Sequence, residues 1–219
     1  MDAESRQCPL DTRDGYDNLT GRIMNNLNPR EDDGSKPDRF GLPDAAVTSE
    51  LIRGCAAGDR AAMQEIYELC SDRVYSLMVR MVGQQDADDV TQQVFMQMFR
   101  KLDQFSGESK LETWLYRLAT NEALQFIRKR KRQTLEPIVS EPVSTAPDRR
   151  LKSEDIEMLE MGLSRLDPEL RAILSLKEEQ GLSYNEIAHA LEIPEGTVGS
   201  RLNRARKELR EELLKLGWE

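Results

Sequence analysis

Ser183-Tyr184-Asn185-Glu186-Ile187-Ala188-His189-Ala190-Leu191-Glu192-Ile193-Pro194-Glu195-Gly196-Thr197-Val198-Gly199-Ser200-Arg201-Leu202-Asn203-Arg204-Ala205-Arg206-Lys207 is the stretch that decides the fold. Ser183 followed three positions later by Glu186 is a capping box, in which each side chain satisfies a free backbone N–H at the start of a helix. Ile187, Ala188 and Leu191 keep the three-four spacing of one buried face, Glu192-Ile193-Pro194 interrupts it, and Val198, Leu202, Ala205, Leu209 and Leu213 resume it. Two helices across a tight turn make a helix-turn-helix. Small Ala188 stands where the helices must approach, and Val198 and Leu202 fill the space between them. The second helix turns Thr197, Ser200, Arg201, Asn203, Arg204 and Lys207 outward, a mixture of base-edge readers and phosphate binders suited to a major groove.

Working upstream, Asp167-Pro168 is an N-cap with proline at the first helical position, leading Leu170, Ile173, Leu174 and Leu176 into a helix. Ile156, Leu159, Leu163 and Leu166 define one more. Before them the apolar periodicity vanishes and Pro137, Pro142 and Pro147 recur, which disfavours a helix over residues 133–152. This segment is expected to be an extended linker. At about 3.4 Å per residue, the stretch from Gln133 to Arg150 alone would reach roughly 60 Å, close to two turns of B-DNA.

Residues 48–132 carry a second helical pattern. Thr48 or Ser49 caps a short helix through Leu51, Ile52 and Cys55, and Asp59 caps a longer one whose inward positions are expected to be Met63, Ile66, Tyr67, Val74, Leu77, Met78, Met81 and Val82, stopped by Gly83. A third begins near Asp86, with Asp86, Asp88 and Asp89 favoured by the helix dipole and Val90, Val94, Phe95, Met98 and Phe99 on one side. Ser109 and Glu112 form another capping box at the head of a fourth, which carries Leu111, Trp114, Leu115, Leu118, Leu124 and Ile127 inward and ends in Arg128-Lys129-Arg130-Lys131-Arg132. Ahead of all this, residues 1–47 hold scattered proline, glycine and acidic residues with few apolar ones, the composition of a disordered acidic extension. The fold class expected is all-α, with two small helical domains at 48–132 and 153–219.

The chain of 219 residues has a net charge of −9, and its apolar runs are short and broken by charges, which argues against a spanning helix. Its N-terminus lacks the profile of a secretory signal, so a cytoplasmic protein is expected. Cys8, Cys55 and Cys70 form no CxxC pair and the single His189 is remote from them, so no metal site and no cofactor are expected; Cys55 and Cys70 are expected to act as small apolar residues. Asp86, Asp88 and Asp89 do not converge on one face as magnesium ligands would. No nucleophile motif or phosphate loop is present, and an enzyme is not expected.

Against the acidic whole, residues 100–132 hold nine basic and four acidic side chains, with Phe105, Trp114, Tyr116 and Phe126 interleaved. That composition suits a surface that tracks a nucleic-acid backbone and stacks its bases.

Together these motifs resemble the extracytoplasmic-function sigma factors of the sigma-70 superfamily. The likeness runs over 48–216. It rests on Gly58-Asp59-Arg60-Ala61-Ala62, on Asp86 to Phe95, on Thr113-Trp114-Leu115-Tyr116-Arg117-Leu118-Ala119-Thr120-Asn121-Glu122-Ala123, and on Gly196 to Arg206. The resemblance implies a first domain, sigma region 2, that binds core RNA polymerase through Asp89, Gln92 and Gln93 and recognises and melts the −10 promoter element. It implies −10 contacts from Phe105, Ser106, Gly107, Lys110, Trp114, Arg117, Asn121, Arg128, Arg130 and Arg132, the loop from Phe105 to Lys110 capturing a flipped base. The second domain resembles sigma region 4, reading the −35 element through Thr197, Ser200, Arg201, Asn203, Arg204 and Lys207. An anti-sigma factor is a further candidate partner. The chain departs from the family pattern at Gln93 (usually Glu), Leu115 (a second Trp in housekeeping members), Glu192 (often Gly) and Gly199 (commonly Lys). The competing reading is an autonomous helix-turn-helix regulator with a helical sensor domain, which the basic 100–132 segment disfavours.

Overall fold

The computed structural model describes residues 47–135 and 154–218, and among them there are helices and turns but no strand. The acidic extension and most of the proline-containing segment lie outside the described residues. Helix α1 spans Ser49–Ala56, and the Thr48 hydroxyl accepts from Leu51 N–H at 3.1 Å. Helix α2 spans Arg60–Val82, capped by Asp59, whose Oδ1 accepts from Ala61 N–H at 2.9 Å. Gly83 ends it with φ +90° and ψ 159°, a region open to glycine and closed to residues with a Cβ, so the chain turns at once into α3, Gln84–Lys101. A single 3₁₀ turn, Leu102–Gln104, leads through a loop into α4, Leu111–Leu135. The helix thus runs three residues beyond the expected Arg132, and the basic run is helical throughout.

The second group is α5 (Glu154–Arg165), α6 (Pro168–Glu178), α7 (Tyr184–Leu191) and α8 (Glu195–Lys215). Asp167 caps α6, its Oδ1 accepting from Glu169 N–H at 2.9 Å. Ser183 and Glu186 form the reciprocal box on α7, with Ser183 N–H donating to Glu186 Oε2 at 2.9 Å and Glu186 N–H to Ser183 Oγ at 3.3 Å. Glu192 ends α7 in the left-handed region at φ +54°, a strained position for a residue with a side chain. Gly162 of α5 lies so close to α8 that a Cβ there would meet Leu213 Cδ2 at 3.0 Å and Leu209 Cδ1 at 3.1 Å.

Ile66, Leu77, Met78, Met81, Val94 and Met98 fill the first group, and Leu159, Ile173, Leu174, Ile187, Val198 and Leu202 the second, each essentially without exposure. Burying a side chain of this size stabilises by about 1.5–3 kcal/mol. The buried residues of the two groups form one continuous cluster, so α1–α4 and α5–α8 pack directly on one another. Polar links cross the seam. Tyr116 of α4 donates to Gln180 Oε1 at 2.7 Å, Arg171 of α6 donates to the carbonyl of Met81 at 2.8 Å, and Arg80 of α2 is paired with Glu179 just after α6.

Three expectations change in three dimensions. Tyr67 is 45% exposed rather than inward, its ring resting on Phe95 at 4.7 Å between centroids, and Cys70 takes the buried place one turn on. Glu112, expected to cap α4, instead accepts from Arg73 of α2 and from the Tyr116 hydroxyl at 3.2 Å. Tyr116, expected among the stacking aromatics, is buried beneath α4 and cannot meet a base. A long-range partner, which no local pattern encodes, wins in each case.

Candidate nucleic-acid and partner interface

Because α3 buries Val90, Val94 and Met98, the helical repeat turns Asp89, Gln92 and Gln93 to solvent on the opposite side. Met96, 55% exposed and one turn beyond Gln92 and Gln93, continues that stripe with an apolar side chain. An acid, two amides and a thioether in a row make a surface for a protein partner rather than for phosphate. The sequence reading did not single out Met96; its position on the polar side of α3, beside Gln92 and Gln93, is the signal that marks it.

The loop before α4 is shaped by Gly107 at φ +76° and by the Ser106 hydroxyl, which accepts from Glu108 N–H at 3.4 Å. Phe105 and Trp114 are both half-buried and lie 5.5 Å apart between ring centroids, tilted by 53°. They close one wall of a cleft of about 190 Å³ lined also by Ser106, Thr113, Arg117 and His189. A recess with an aromatic wall, hydroxyls and a guanidinium is chemically suited to an unstacked base. His189 belongs to α7, so the far wall is contributed by the second group of helices.

Lys110, Arg117, Asn121 and Arg128 are exposed, and Arg117, Asn121 and Arg128 recur at intervals that place them along one side of α4. Arg130 is turned to Asp86 at the head of α3, while Lys129, Lys131 and Arg132 point to solvent. The cations do not stand alone: Lys110 lies 3.5 Å from Glu186, Arg117 3.4 Å from Glu192, and Arg128 4.0 Å from Glu169. All three acids come from the second group.

On α8, Ser200, Asn203, Arg204 and Lys207 are exposed, and Thr197 and Arg201 half-exposed, along one face. Ser200 donates to the Thr197 carbonyl at 2.9 Å, Arg204 donates to Glu208 at 2.7 Å, Lys207 lies 4.0 Å from Glu211, and Arg201 lies 3.6 Å from Glu169. Arg206, in the same basic stretch, points the other way and donates to buried Glu178 at 2.8 Å. Its role is to join α8 to α6.

Burial pushes the Cys70 thiol up to about 12 and raises that of Cys55 as well, so neither is an available nucleophile at neutral pH. Among the described residues no cluster of three metal-ligating side chains gathers, and no helix is long and apolar enough to cross a membrane.

Comparison with known proteins converges on one family. Residues 66–133 match the family model of Sigma-70 region 2, and residues 156–209 match that of Sigma-70 region 4. The chain is 37% identical over 174 residues to the ECF RNA polymerase sigma factor SigE of Mycolicibacterium smegmatis, covering 73% of this chain and 66% of that protein. It is 31% identical over 170 residues to the ECF RNA polymerase sigma-E factor of Haemophilus influenzae, covering 72% and 90% respectively. The Escherichia coli sigma-E factor is 32% identical over 170 residues, with 72% and 89% covered. Among solved structures, the sigma factor RpoE in complex with the anti-sigma factor NepR from Bartonella quintana superposes with a TM-score of 0.58 at 26% identity, covering 69% of this chain and 96% of that one. CnrH, solved with the cytosolic domain of CnrY, gives 0.58 at 23% identity over 75% and 95%, a likeness of fold.

Proposed function

We propose, for a chain that belongs to the extracytoplasmic-function sigma factors of the sigma-70 family, a division of labour among its residues in directing transcription initiation. As a sigma factor it binds core RNA polymerase and promoter DNA, and the autonomous-regulator reading is not favoured. The family is not known for catalysis. Residues 48–132 act as sigma region 2, residues 153–219 as region 4, residues 133–152 as the linker between them and residues 1–47 as an acidic extension. Asp89, Gln92 and Gln93, joined by Met96, form the polymerase-binding stripe. The cleft beside Trp114 takes the flipped −10 base. Phe105, Ser106, Gly107, Lys110, Arg117 and Asn121 hold the strand around it, and Arg128, Arg130 and Arg132 hold the adjoining duplex. Thr197, Ser200, Arg201, Asn203, Arg204 and Lys207 read the −35 element in the major groove. The work is done in the cytoplasm, and an anti-sigma factor, of the kind bound to the Bartonella RpoE, restrains it.

The observation that carries this account is the coincidence on α4 of a row of cations with an aromatic-walled recess at its head, while α8 carries a separate polar and cationic row on a rigid helix. The first arrangement fits an opened strand and the second a closed duplex. Permanganate footprinting of the reconstituted holoenzyme on its promoter separates the two. Trp114→Ala should leave promoter occupancy and abolish reactive thymines at −10, whereas Arg201→Ala/Arg204→Ala should lower occupancy itself. Equal loss of occupancy by both variants would overturn the division.

A further inference from the structure

On the outer side of α2 and α3, away from α4, apolar side chains are left without cover. Tyr67 of α2, 45% exposed, rests on Phe95 of α3 at 4.7 Å between ring centroids, and Phe95 leads to half-buried Phe99 at 6.3 Å. The helical repeat sets Phe99 and Gln92 between Phe95 and Met96, which is 55% exposed. Met63, half-buried one turn before Tyr67, continues the strip along α2. The result is a shallow apolar groove between two antiparallel helices. It offers far less surface than the roughly 800 Å² per partner that a stable interface between copies buries. A short tethered segment suits it better, because the tether supplies effective concentration in place of area.

We infer that residues 16–27 of the same chain dock in this groove as an amphipathic helix. Within the acidic extension this run alone gathers apolar residues at helical spacing, with Tyr16, Leu19, Ile23 and Leu27 on one stripe and Met24 beside it. Asp14 precedes it as an N-cap, and Asn28-Pro29 is a stop. Its other face is Asn18, Arg22, Asn25 and Asn26. So short a run, weakened by Gly15 and Gly21, holds no helix without a surface to pack on. The tether is the right length. Gly54 of α1 lies so close to α2 that a Cβ there would meet that of Ala62 at 3.1 Å, and from this contact the rise of about 1.5 Å per residue puts Tyr67 within roughly 25 Å of Val47. Residues 28–46, as a random coil of about 5–6 Å times the square root of their number, would span about 24 Å. A docked segment covers Met96 and the flank of Gln92, so it and core polymerase exclude one another. That consequence, unlike the docking, rests on the assignment of the Asp89, Gln92, Gln93 and Met96 stripe to polymerase.

The test is methyl NMR of the full chain carrying ¹³C-methyl methionine, each signal assigned by its Met→Leu variant. Ile23→Asp/Leu27→Asp, which touches none of the packed core, should shift the Met24, Met63 and Met96 signals and leave that of Met161, exposed on α5, in place. Leu10→Asp, in the extension but outside the run, should shift none of them. Unmoved Met63 and Met96 signals, an equal shift from Leu10→Asp, or a shift at Met161 instead would each overturn the docking. So would a Met96 signal of the unaltered chain that moves on tenfold dilution, which would assign the groove to a second copy. The same double variant should bind core polymerase roughly three- to tenfold tighter, in inverse proportion to the undocked fraction of the unaltered chain. If the methyl signals move and the affinity does not, the docking stands and the polymerase stripe is wrongly placed; if the signals stay, the docking itself is wrong.

Discussion

The two surfaces assigned to DNA, the loop and helix over 102–132 and the helix-turn-helix over 183–210, carry similar side chains on different foundations. In the second, Ile187, Val198 and Leu202 are fully buried within a local unit, a capping box sets the start of α7, and α8 presents its polar row by helical repeat alone. In the first, the recess exists only because a loop, Trp114 and a residue of α7 come together, and α4 is seated by Arg73 of α2 and Gln180 beyond α6. A duplex offers a preformed groove, so its reader needs a rigid rod with side chains at fixed spacing. An unpaired base offers no such frame, so its reader must supply a cavity, and cavities are assembled from segments distant in sequence.

The largest effect should fall on neither surface. Asp89→Ala/Gln92→Ala alters an exposed stripe that touches no part of the core, and should remove detectable association with core polymerase in a pull-down while the far-ultraviolet circular dichroism stays unchanged. Retained association would move the polymerase contact elsewhere. Next, the first group alone contains the buried thiols, so in a Cys8→Ser background reaction with Ellman's reagent at pH 8 reports on that group. With the Cys70 pKa near 12 against an ordinary 9.0, its reaction should be slower by roughly a thousandfold than for an exposed thiol. Linkage gives the sign of the matching stability term: the folded state holds the proton more tightly, so this contribution is whole below pH 9 and is lost as pH rises toward 12.

Leu202→Ala opens a cavity at the centre of the helix-turn-helix and should cost about 2–5 kcal/mol in urea unfolding. Arg201→Ala and Arg204→Ala should each weaken −35 binding by about 1–3 kcal/mol where the guanidinium grips a base in two bonds, and reduce the salt slope where it grips phosphate. The smallest effect is expected at Gly199, where an added Cβ would stand 3.5 Å from the Tyr184 ring, an ordinary contact. Gly199→Ala should raise stability by about 0.5–1 kcal/mol through helix propensity, read as a higher urea midpoint. A loss there would mean that the face of α7 against α8 is tighter than its partner glycine suggests.

Local physics made much of this molecule legible before any coordinates. Thr48, Asp59, Asp167 and the Ser183–Glu186 box announce helix starts through hydrogen bonds that reach only two or three residues, and they stand where expected. The buried faces of α3 and α8 follow from period alone, and the exposure of Asp89, Gln92 and Gln93 follows from those faces. The family motifs carried the assignment to sigma regions 2 and 4. What sequence could not supply was every choice made between distant segments: Tyr116 turned inward to Gln180, Glu112 drawn from its cap to Arg73, Arg206 spent on Glu178, and the glutamates of α6 and α7 laid over the cations of α4. Helical period says which side of a helix is apolar, but whether a polar group faces water, DNA or another helix depends on which charges the completed fold brings within a few ångströms of it.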